Sequence, residues 1–259
     1  MSGPTYFLSD LHVRAPDDAR TEHVLRFLRA RRGEASAVYL VGDVFDFWLG
    51  YRSAVFHAYF PLLRVLAELV EGGTRVVVFS GNHDPDPGDF LQKLGIEVSD
   101  GPLDLTLGGR RVWVEHGDLI DPRGALRRLV CRSARHPWVR GAARLFHPDL
   151  AWHLASRYAR AHQEAYTEAM HPGLVDDFFR RRVAAGADVV VVGHYHRAFV
   201  HHADLEGRPR ALFGLGDWVA QRTFLRVDGD RFELMRDRGP DAAPATLPPG
   251  DHGPEDGVA

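Results

Sequence analysis

The sequence has little that could cross-link the chain or hold a metal through sulfur. Cys131 is the only cysteine among 259 residues, which excludes an internal disulfide and a structural zinc site built mainly of thiolates. Lysine is nearly absent as well, because Lys93 is the single one. The formal net charge of -3 gives no overall attraction to nucleic acid, so none is expected as a partner. Any bound metal must be held by carboxylates, amides and the 15 histidines.

Long apolar segments are also missing. No run of residues approaches the span of about 20 apolar residues that crosses a bilayer. The chain begins Met1-Ser2-Gly3-Pro4 without a basic region followed by a long apolar one, so no secretory signal is expected. With 45% hydrophobic and 26% charged residues, the composition is that of a globular protein. We therefore expect a cytoplasmic location.

Short apolar runs rich in valine and aromatic residues recur along the chain and predict β-strands. The first five are Thr5 to Ser9, Ala37 to Val41, Arg75 to Ser80, Arg111 to Glu115 and Asp188 to Val192. Helix-period segments, Asp18 to Arg32 and Val55 to Glu71, separate the early strands, and the second ends at Gly72-Gly73. This alternation predicts an α/β fold.

The pattern changes after Ile120. Residues 122–170 are predicted to form a helical insertion broken by prolines, which we call the lid, and shorter strands follow it. Those strands are expected at Ala198 to His202, Arg210 to Phe213, Thr223 to Val227 and Arg231 to Met235. From Gly239 the chain is rich in proline, glycine and acidic residues, which is typical of disorder. The prediction is one domain, 1–238, containing the lid, and a disordered tail, 239–259.

Polar residues of metal-ligand type follow each of the first five strands. The motifs are Asp10-Leu11-His12, Gly42-Asp43, Gly81-Asn82-His83-Asp84, His116-Gly117-Asp118 and Gly193-His194-Tyr195-His196. Loops at the carboxyl ends of strands in an α/β sheet converge on one crevice. Residues two apart in extended backbone point the same way, so Asp10 and His12 are expected to share a target, as are His194 and His196.

Seven donors are too many for one tetrahedral ion, and we therefore expect two ions. The donors are Asp10, His12, Asp43, Asn82, His116, His194 and His196. If Asp43 bridges, one ion takes Asp10, His12 and His196, and the other takes Asn82, His116 and His194. Mixed imidazole, carboxylate and amide donors suit Mn, Fe or Zn. Two such cations activate water and stabilise charge at phosphorus, which predicts phosphoester or pyrophosphate hydrolysis.

The residues beside these donors have expected roles of their own. His83 follows Asn82 directly and is predicted to contact substrate, where it stabilises the developing oxyanion or protonates the leaving oxygen. Asn82 and His83 are the expected catalytic residues. Asp84 and Asp118 are expected to orient ligand imidazoles through their free N–H groups.

As a set, these blocks resemble the calcineurin-like metallophosphoesterases, whose D-x-H, G-D, G-N-H-D, H-G and G-H-x-H motifs occur here in the same order. The resemblance implies a two-sheet α/β/β/α sandwich with flanking helices. It also implies two divalent metal ions as cofactors, often manganese. The blocks span residues 10–196 of this chain.

Within that superfamily the chain is most similar to the UDP-2,3-diacylglucosamine pyrophosphohydrolase family of lipid A biosynthesis. Gly42 to Gly50 resembles its G-D-L-F-E-x-W-x-G block, His136 to Trp138 the start of its helical lid, and Leu215 to Trp218 its L-G-x-W. The resemblance implies hydrolysis of UDP-2,3-diacylglucosamine to UMP and the acylated sugar 1-phosphate. The family has G-N-R-D-F where this chain has His83. The implied substrate contacts are Asn82, His83, Asp121, Arg157, Arg160 and His162.

The lid is rich in arginine and contains no acidic residue between Pro122 and Pro148. Its arginines are Arg123, Arg127, Arg128, Arg132, Arg135, Arg140 and Arg144, interleaved with apolar residues. Such a basic amphipathic segment favours an anionic membrane surface, here the cytoplasmic face of the inner membrane, and a lipid substrate. One alternative is a solvated charged face whose apolar side packs on the domain. Binding of nucleic acid by the same arginines is another.

Two other functions stay open. A soluble phosphomonoesterase or phosphodiesterase of the same superfamily, acting on nucleotides or phosphoprotein, is favoured by His83. A non-catalytic scaffold of this fold is the other, but such a protein should have lost ligands, and all seven are present.

Overall fold

The computed structural model describes residues 3–14, 18–120, 129, 133, 135–161, 172–205, 207–240 and 242–252. The helices are α1 (Ala19–Arg29), α2 (Phe60–Glu71), α3 (Gly88–Lys93), α4 (Pro137–Ala143), α5 (Pro148–Ala161) and α6 (Pro172–Ala184). The strands are β1 (Thr5–Leu8), β2 (Ala37–Leu40), β3 (Arg75–Phe79), β4 (Glu97–Ser99), β5 (Leu103–Leu107), β6 (Arg110–Glu115), β7 (Val189–Val192), β8 (Ala198–Leu205), β9 (Arg208–Leu215), β10 (Thr223–Asp228), β11 (Arg231–Arg236), β12 (Ala245–Thr246) and β13 (Gly250–His252).

The strands form two mixed sheets. The first has the order β12-β11-β10-β1-β2-β3-β4, in which β1 to β4 are parallel and β10 joins β1 antiparallel. The second has the order β13-β8-β9-β7-β6-β5, with β6, β7 and β9 parallel to one another. In both sheets the parallel strands are neighbours, so their carboxyl ends form continuous edges on which loops can meet.

The sheets pack face to face because their central strands are apolar on both sides. Phe7 and Tyr39 point to one side of the first sheet, stack at 4.7 Å between ring centroids, and share a core with Val112 and Val191 of the second. The alternate residues of the first sheet pack on α1 and α2, and those of the second on α6. The protein is thus an α/β/β/α sandwich, which confirms the fold expected from the resemblance.

Local signals in the sequence explain where the early helices begin and end. The Asp18 carboxylate accepts a hydrogen bond from the N–H of Arg20 and caps α1. Helix α2 has a proline in its first turn and ends at Gly72, followed by Gly73 with φ 84°, a conformation that glycine adopts without strain. A short 3-10 turn, His57–Tyr59, precedes α2 where the sequence suggested continuous helix.

The segment after Gly239 is not disordered as expected. β12 pairs with β11, and β13 pairs with β8 at the edge of the second sheet. The backbone N–H of Leu247 also donates to the carbonyl of Leu234. Open sheet edges offer unpaired backbone groups, and a segment with few apolar residues can satisfy them by adding a strand. The prediction of disorder is therefore wrong for residues 245–252, while residues 253–259 lie outside the described part of the chain.

Part of the lid is described. Helices α4 and α5 lie within it, whereas residues 121–128, 130–132, 134 and 162–171 lie outside the described residues. Among the residues that the structure describes, no helix is long and apolar enough to cross a membrane.

Candidate metal centre

Five loops carry the predicted donors, and each loop follows the carboxyl end of a central strand. They come after β1, β2, β3, β6 and β7, which lie next to one another across the two sheets. Backbone hydrogen bonds join the first two loops, since the N–H of Asp10 donates to the Gly42 carbonyl and that of His12 to the Asp43 carbonyl. The side chains of Asp10, Asp43 and His116 are almost completely buried. The strand-end crevice predicted from the sequence is present.

The backbone in these loops is left-handed rather than extended. Asp10, His12, Asp43, His194 and His196 have φ values of 55°, 44°, 52°, 69° and 49°, and the other positive-φ residue besides glycine in the described chain is Arg222. The premise of extended backbone is therefore wrong. Asp10 and His12 nevertheless share a cluster as expected, whereas His194 and His196 fall in different clusters. Left-handed backbone is strained for residues with a Cβ, and it persists where the surroundings over-determine it, often at functional sites.

The first cluster contains Asp10, His12 and His196. The Nε2 atom of His196 lies 3.3 Å from Asp10 Oδ1 and 3.3 Å from His12 Nε2. Asp10 Oδ1 is buried and receives no hydrogen bond. Two imidazoles and a carboxylate with a bare oxygen, all aimed at one point, form a donor set that could hold a divalent cation.

The second cluster contains Asp43, His116 and His194, with Asn82 beside it. His116 Nε2 lies 3.5 Å from Asp43 Oδ2 and 3.4 Å from Asn82 Oδ1. The same Asp43 Oδ2 atom is 3.9 Å from His12 Nε2 in the first cluster. Asp43 therefore lies between the two clusters, and the histidines divide between them as predicted, with His194 on one side and His196 on the other.

The groups that orient the imidazoles differ from those predicted. His12 Nδ1 faces Asp46 Oδ1 at 3.6 Å, and His196 Nδ1 faces Asp217 Oδ2 at 3.4 Å. His116 Nδ1 is 2.8 Å from the Val41 carbonyl, to which it can donate. Such partners fix which ring nitrogen faces the centre of the site. Asp46 and Asp217 were missed in the sequence analysis, although each is part of a conspicuous motif, G-D-V-F-D and L-G-D-W respectively.

Asp84 organises backbone instead of an imidazole. Its carboxylate accepts hydrogen bonds from the N–H groups of Asp43, Val44 and Gly81 at 2.8 to 3.0 Å. Burial, followed by the negative charge of Asp43, raises the pKa of Asp84 to about 6. Gly81 is required here because a Cβ would collide with the Asp43 carboxylate. Asp84 thus holds the Asp43 loop against the loop that carries Asn82.

Charges within the clusters are strongly coupled. Burial by itself lowers the pKa of His116, but the carboxylates of Asp43, Asp10 and Asp118 together outweigh it and raise the pKa to about 10. Burial likewise opposes ionisation of Asp43, yet His116 holds the pKa of that carboxyl well below its usual range. Buried carboxylates in this site therefore favour positive charge, as a cation-binding centre requires.

A family model described as calcineurin-like phosphoesterase matches residues 3–198. The chain belongs to this family.

The family expected from the sequence motifs is therefore confirmed. A UDP-2,3-diacylglucosamine hydrolase of Azotobacter vinelandii is 32% identical over 244 residues, covering 89% of this chain and 97% of the relative. One of Neisseria gonorrhoeae is 35% identical over 242 residues, covering 88% and 95%. Among solved structures, Vps29 of Chaetomium thermophilum aligns with a TM-score of 0.46 and 11% identity over 94% of this chain and 96% of that one.

His83 of this calcineurin-like phosphoesterase lies beside both clusters. Its backbone N–H donates to Asp43 Oδ1 at 2.9 Å, and its Nδ1 is 3.0 Å from the Asp46 carbonyl oxygen. The ring meets that of His12 edge-on at 4.7 Å between centroids. Because a carbonyl can only accept, Nδ1 carries the proton in this contact. His83 is half-buried, so it also lies at the boundary between the clusters and solvent.

The predicted substrate contacts in the lid are largely beyond what the structure describes. Arg157 lies on α5 with an exposed side chain, and Arg160 lies on the same helix. Asp121, His162 and the side chain of Arg160 fall outside the described residues. The role of these residues therefore stays a prediction.

In the described part of the lid, the arginines and the apolar side chains face in opposite directions. Arg135, Arg140 and Arg144 contact carboxylates of the sandwich. Apolar side chains face outward instead, with Trp138 83% and Leu145 87% exposed. For these residues the alternative with a solvated charged face and a buried apolar side is wrong, because aspartates of the sandwich pair with the arginines. The contact of the lid with an anionic membrane surface stays a prediction. Arg123, Arg127, Arg128 and Arg132 lie outside the described residues.

Proposed function

We propose that this chain hydrolyses the pyrophosphate of UDP-2,3-diacylglucosamine, giving UMP and 2,3-diacylglucosamine 1-phosphate, at a centre of two divalent cations. The observation that supports it most is the position of Asp43 between two complete donor clusters. The substrate follows from the relatives, which carry the name UDP-2,3-diacylglucosamine hydrolase and match nearly their full length.

The seven donors divide as the distances suggest. Asp10, His12, Asp43 and His196 would hold the first cation, and Asp43, Asn82, His116 and His194 the second. Two bound cations supply an activated water and neutralise the charge that develops on the phosphoryl oxygens. Carboxylate, imidazole and amide donors together suit manganese, which we propose as the metal.

The residues around the clusters have separate tasks. Asp46 and Asp217 hold the rings of His12 and His196 so that Nε2 faces the centre. His83 would act on the substrate by exchanging a proton with the leaving oxygen, with its ring oriented by the contact between Nδ1 and the Asp46 carbonyl. Beside His83, the side-chain amide of Asn82 would also contact the substrate. Asp121, Arg157, Arg160 and His162 are the proposed contacts to the rest of the substrate.

The lid would place the enzyme on the cytoplasmic face of the inner membrane. Its exposed apolar residues support this, because several of them share α4, α5 and the turn between them. They are Trp138, Val139, Leu145, Phe146, Leu150 and Leu154. Aromatic and aliphatic side chains of this kind enter the boundary between head groups and acyl chains. A substrate with two acyl chains would be met at the same surface.

A second candidate function is a soluble phosphomonoesterase or phosphodiesterase, which His83 favours because the pyrophosphohydrolases have arginine at this position. One assay separates the two: the purified chain with manganese is given UDP-2,3-diacylglucosamine or an aryl phosphate, and UMP and phenol release are measured. We expect UMP release to exceed aryl phosphate hydrolysis by at least about 10³-fold in kcat/KM, the discrimination that polar recognition of a substrate provides. Preference for the aryl phosphate would overturn the proposal in favour of the second candidate.

A further inference from the structure

Three arginines of the lid contact three carboxylates of the sandwich. Arg135 Nη2 lies 3.0 Å from Asp118 Oδ2, and Arg144 Nη2 lies 2.5 Å from Asp86 Oδ2. Arg140 lies between them, 3.6 Å from Asp86 and 3.4 Å from Asp100. We call these six residues the arginine–aspartate network. It attaches the residues around α4 to loops that follow strands of both sheets, after β3 and β4 in the first and after β6 in the second.

Arg135 is the member nearest to the candidate ligands. Its Nη2 atom donates to Asp118 Oδ1 at 3.1 Å and to the Ser80 carbonyl at 3.2 Å. Asp118 comes two residues after His116, and Ser80 comes two residues before Asn82. One guanidinium therefore joins the two loops that carry His116 and Asn82, both of them donors of the second cluster.

The contact between Arg135 and Asp118 is largely buried, so the Asp118 carboxylate depends on it. The Asp118 side chain is only 3% exposed and that of Arg135 16%. A carboxylate removed from water needs a cation or hydrogen-bond donors, so loss of Arg135 would make the Asp118 loop rearrange. His116 lies two residues earlier in the same loop, and its position would change with it.

The remaining contacts of the arginine–aspartate network join the lid to further residues of the sandwich. Ser80 Oγ donates to Asp100 Oδ1 at 2.7 Å, and Asp100 in turn contacts Arg140. Asp86, which pairs with Arg140 and Arg144, belongs to the same loop after β3 that carries Ser80 and Asn82. The network is therefore continuous from the His116 loop through the end of β3 to the residues after His83.

We propose that Arg135 is a positioning residue for the second cation, acting through Asp118 and the Ser80 carbonyl. The inference rests on the ligand assignment made under the proposed function. It predicts that attachment of the lid and binding of the second cation are coupled, whereas the first cation, held by Asp10, His12 and His196, is independent of Arg135.

The experiment is a titration of the metal-free full-length chain with manganese, followed by calorimetry. The variants are Arg135→Gln, Arg135→Lys and Asp118→Asn. The control is Arg180→Gln, which removes a surface arginine paired with Asp176 on α6. We expect Arg135→Gln to weaken the second binding event about 10- to 100-fold, the usual effect of losing a group that supports a metal ligand, and to leave the first unchanged.

The lysine variant adds a readout that a purely structural role would not give. A lysine keeps the charge but cannot match the planar donor geometry, so it should restore the second event only in part. Asp118→Asn should weaken the same event, and Asp118→Asn combined with Arg135→Gln should be no worse than Arg135→Gln alone. If Arg135→Gln fails to fold, the lysine and Asp118→Asn variants decide the question.

Wild-type affinity for both cations in Arg135→Gln, or in Arg135→Lys and Asp118→Asn together, would overturn the inference. An equal loss of both binding events would also overturn it, because it would indicate a general role in stability. If the wild-type chain binds two manganese ions and Arg135 has no effect, only this inference fails. If the wild-type chain does not bind two ions, the proposed function fails instead.

Discussion

The strand-end loops and the lid both bury charged side chains, but their arrangements are opposite. In the loops, carboxylates and imidazoles from five segments face one another, and buried Asp43 lies between two groups of donors. In the lid, arginines turn inward to aspartates of the sandwich and leave apolar side chains in contact with solvent. The first arrangement requires cations to neutralise it, whereas the second is neutral by itself but exposes a surface that water solvates poorly.

This difference explains why the two regions respond differently to substitution. Five of the seven donors in the loops lie on strained backbone, and their positions depend on the sheets that the loops follow. The exposed residues of the lid make few contacts within the chain, so they contribute little to the free energy of folding. Their role must therefore be tested by measuring binding. The largest effects of substitution are therefore expected at the centre of the strand-end loops, and the smallest at the surface of the lid.

The largest effect is expected for Asp43→Ala. Asp43 reaches both clusters, and its loss should remove several kcal/mol of charge stabilisation, or at least about 10³-fold in kcat/KM with manganese. UMP release measures the rate, and circular dichroism checks that the fold persists. Asp176→Asn, at an exposed ion pair, is the matched control. Wild-type turnover by Asp43→Ala would contradict the two-cation assignment.

An intermediate effect is expected for His83→Ala. If His83 transfers a proton to the leaving oxygen, kcat should fall about 10²-fold while manganese binding stays unchanged. Calorimetry is needed beside the rate, because His83 also lies within reach of His12 and Asp43 as a possible ligand. Loss of a manganese-binding event would indicate that His83 is a metal ligand. An unchanged kcat would contradict its role in proton transfer. His83→Arg, which restores the residue of the pyrophosphohydrolases, should raise the preference for the UDP-sugar over the aryl phosphate.

The smallest effect is expected for the lid surface. Trp138→Ser combined with Leu145→Ser should weaken binding to vesicles of phosphatidylethanolamine and phosphatidylglycerol about tenfold, since two large apolar contacts are lost. The free energy of unfolding should change by no more than about 0.5 kcal/mol, because both side chains are exposed. Sedimentation with vesicles measures the first quantity and thermal denaturation the second.

The salt dependence of that binding sharpens the comparison. Binding through Trp138 and Leu145 should survive 0.5 M sodium chloride, whereas binding through Arg123, Arg127, Arg128 and Arg132 should be lost, since salt screens charge–charge attraction. Replacing those four arginines by glutamine tests the second possibility directly. Unchanged sedimentation with vesicles in both sets of variants would contradict the proposed contact between the lid and the membrane.

Much of the fold could be predicted because its strands carry a local signal. Runs such as Val189–Val192 are apolar on both faces, as only strands covered on two sides are, and the five central strands were all expected. The edge strands β4 and β5 were not, because half of their residues face solvent and the apolar run is lost. The strands β12 and β13 depend on backbone pairing with β11 and β8 rather than on apolar residues, so composition alone indicated disorder.

The amino-acid sequence by itself determined which side chains could bind metal and that they would meet, since each follows an apolar strand whose carboxyl end must lie at a shared edge. Tertiary structure decided which partner each of them has. Asp46 and Asp217 face the imidazoles in place of Asp84 and Asp118, and Arg135 turns to Asp118 instead of solvent. Periodicity and strand ends are properties of neighbouring residues, whereas the choice of partner depends on distances across the fold between residues far apart in the chain.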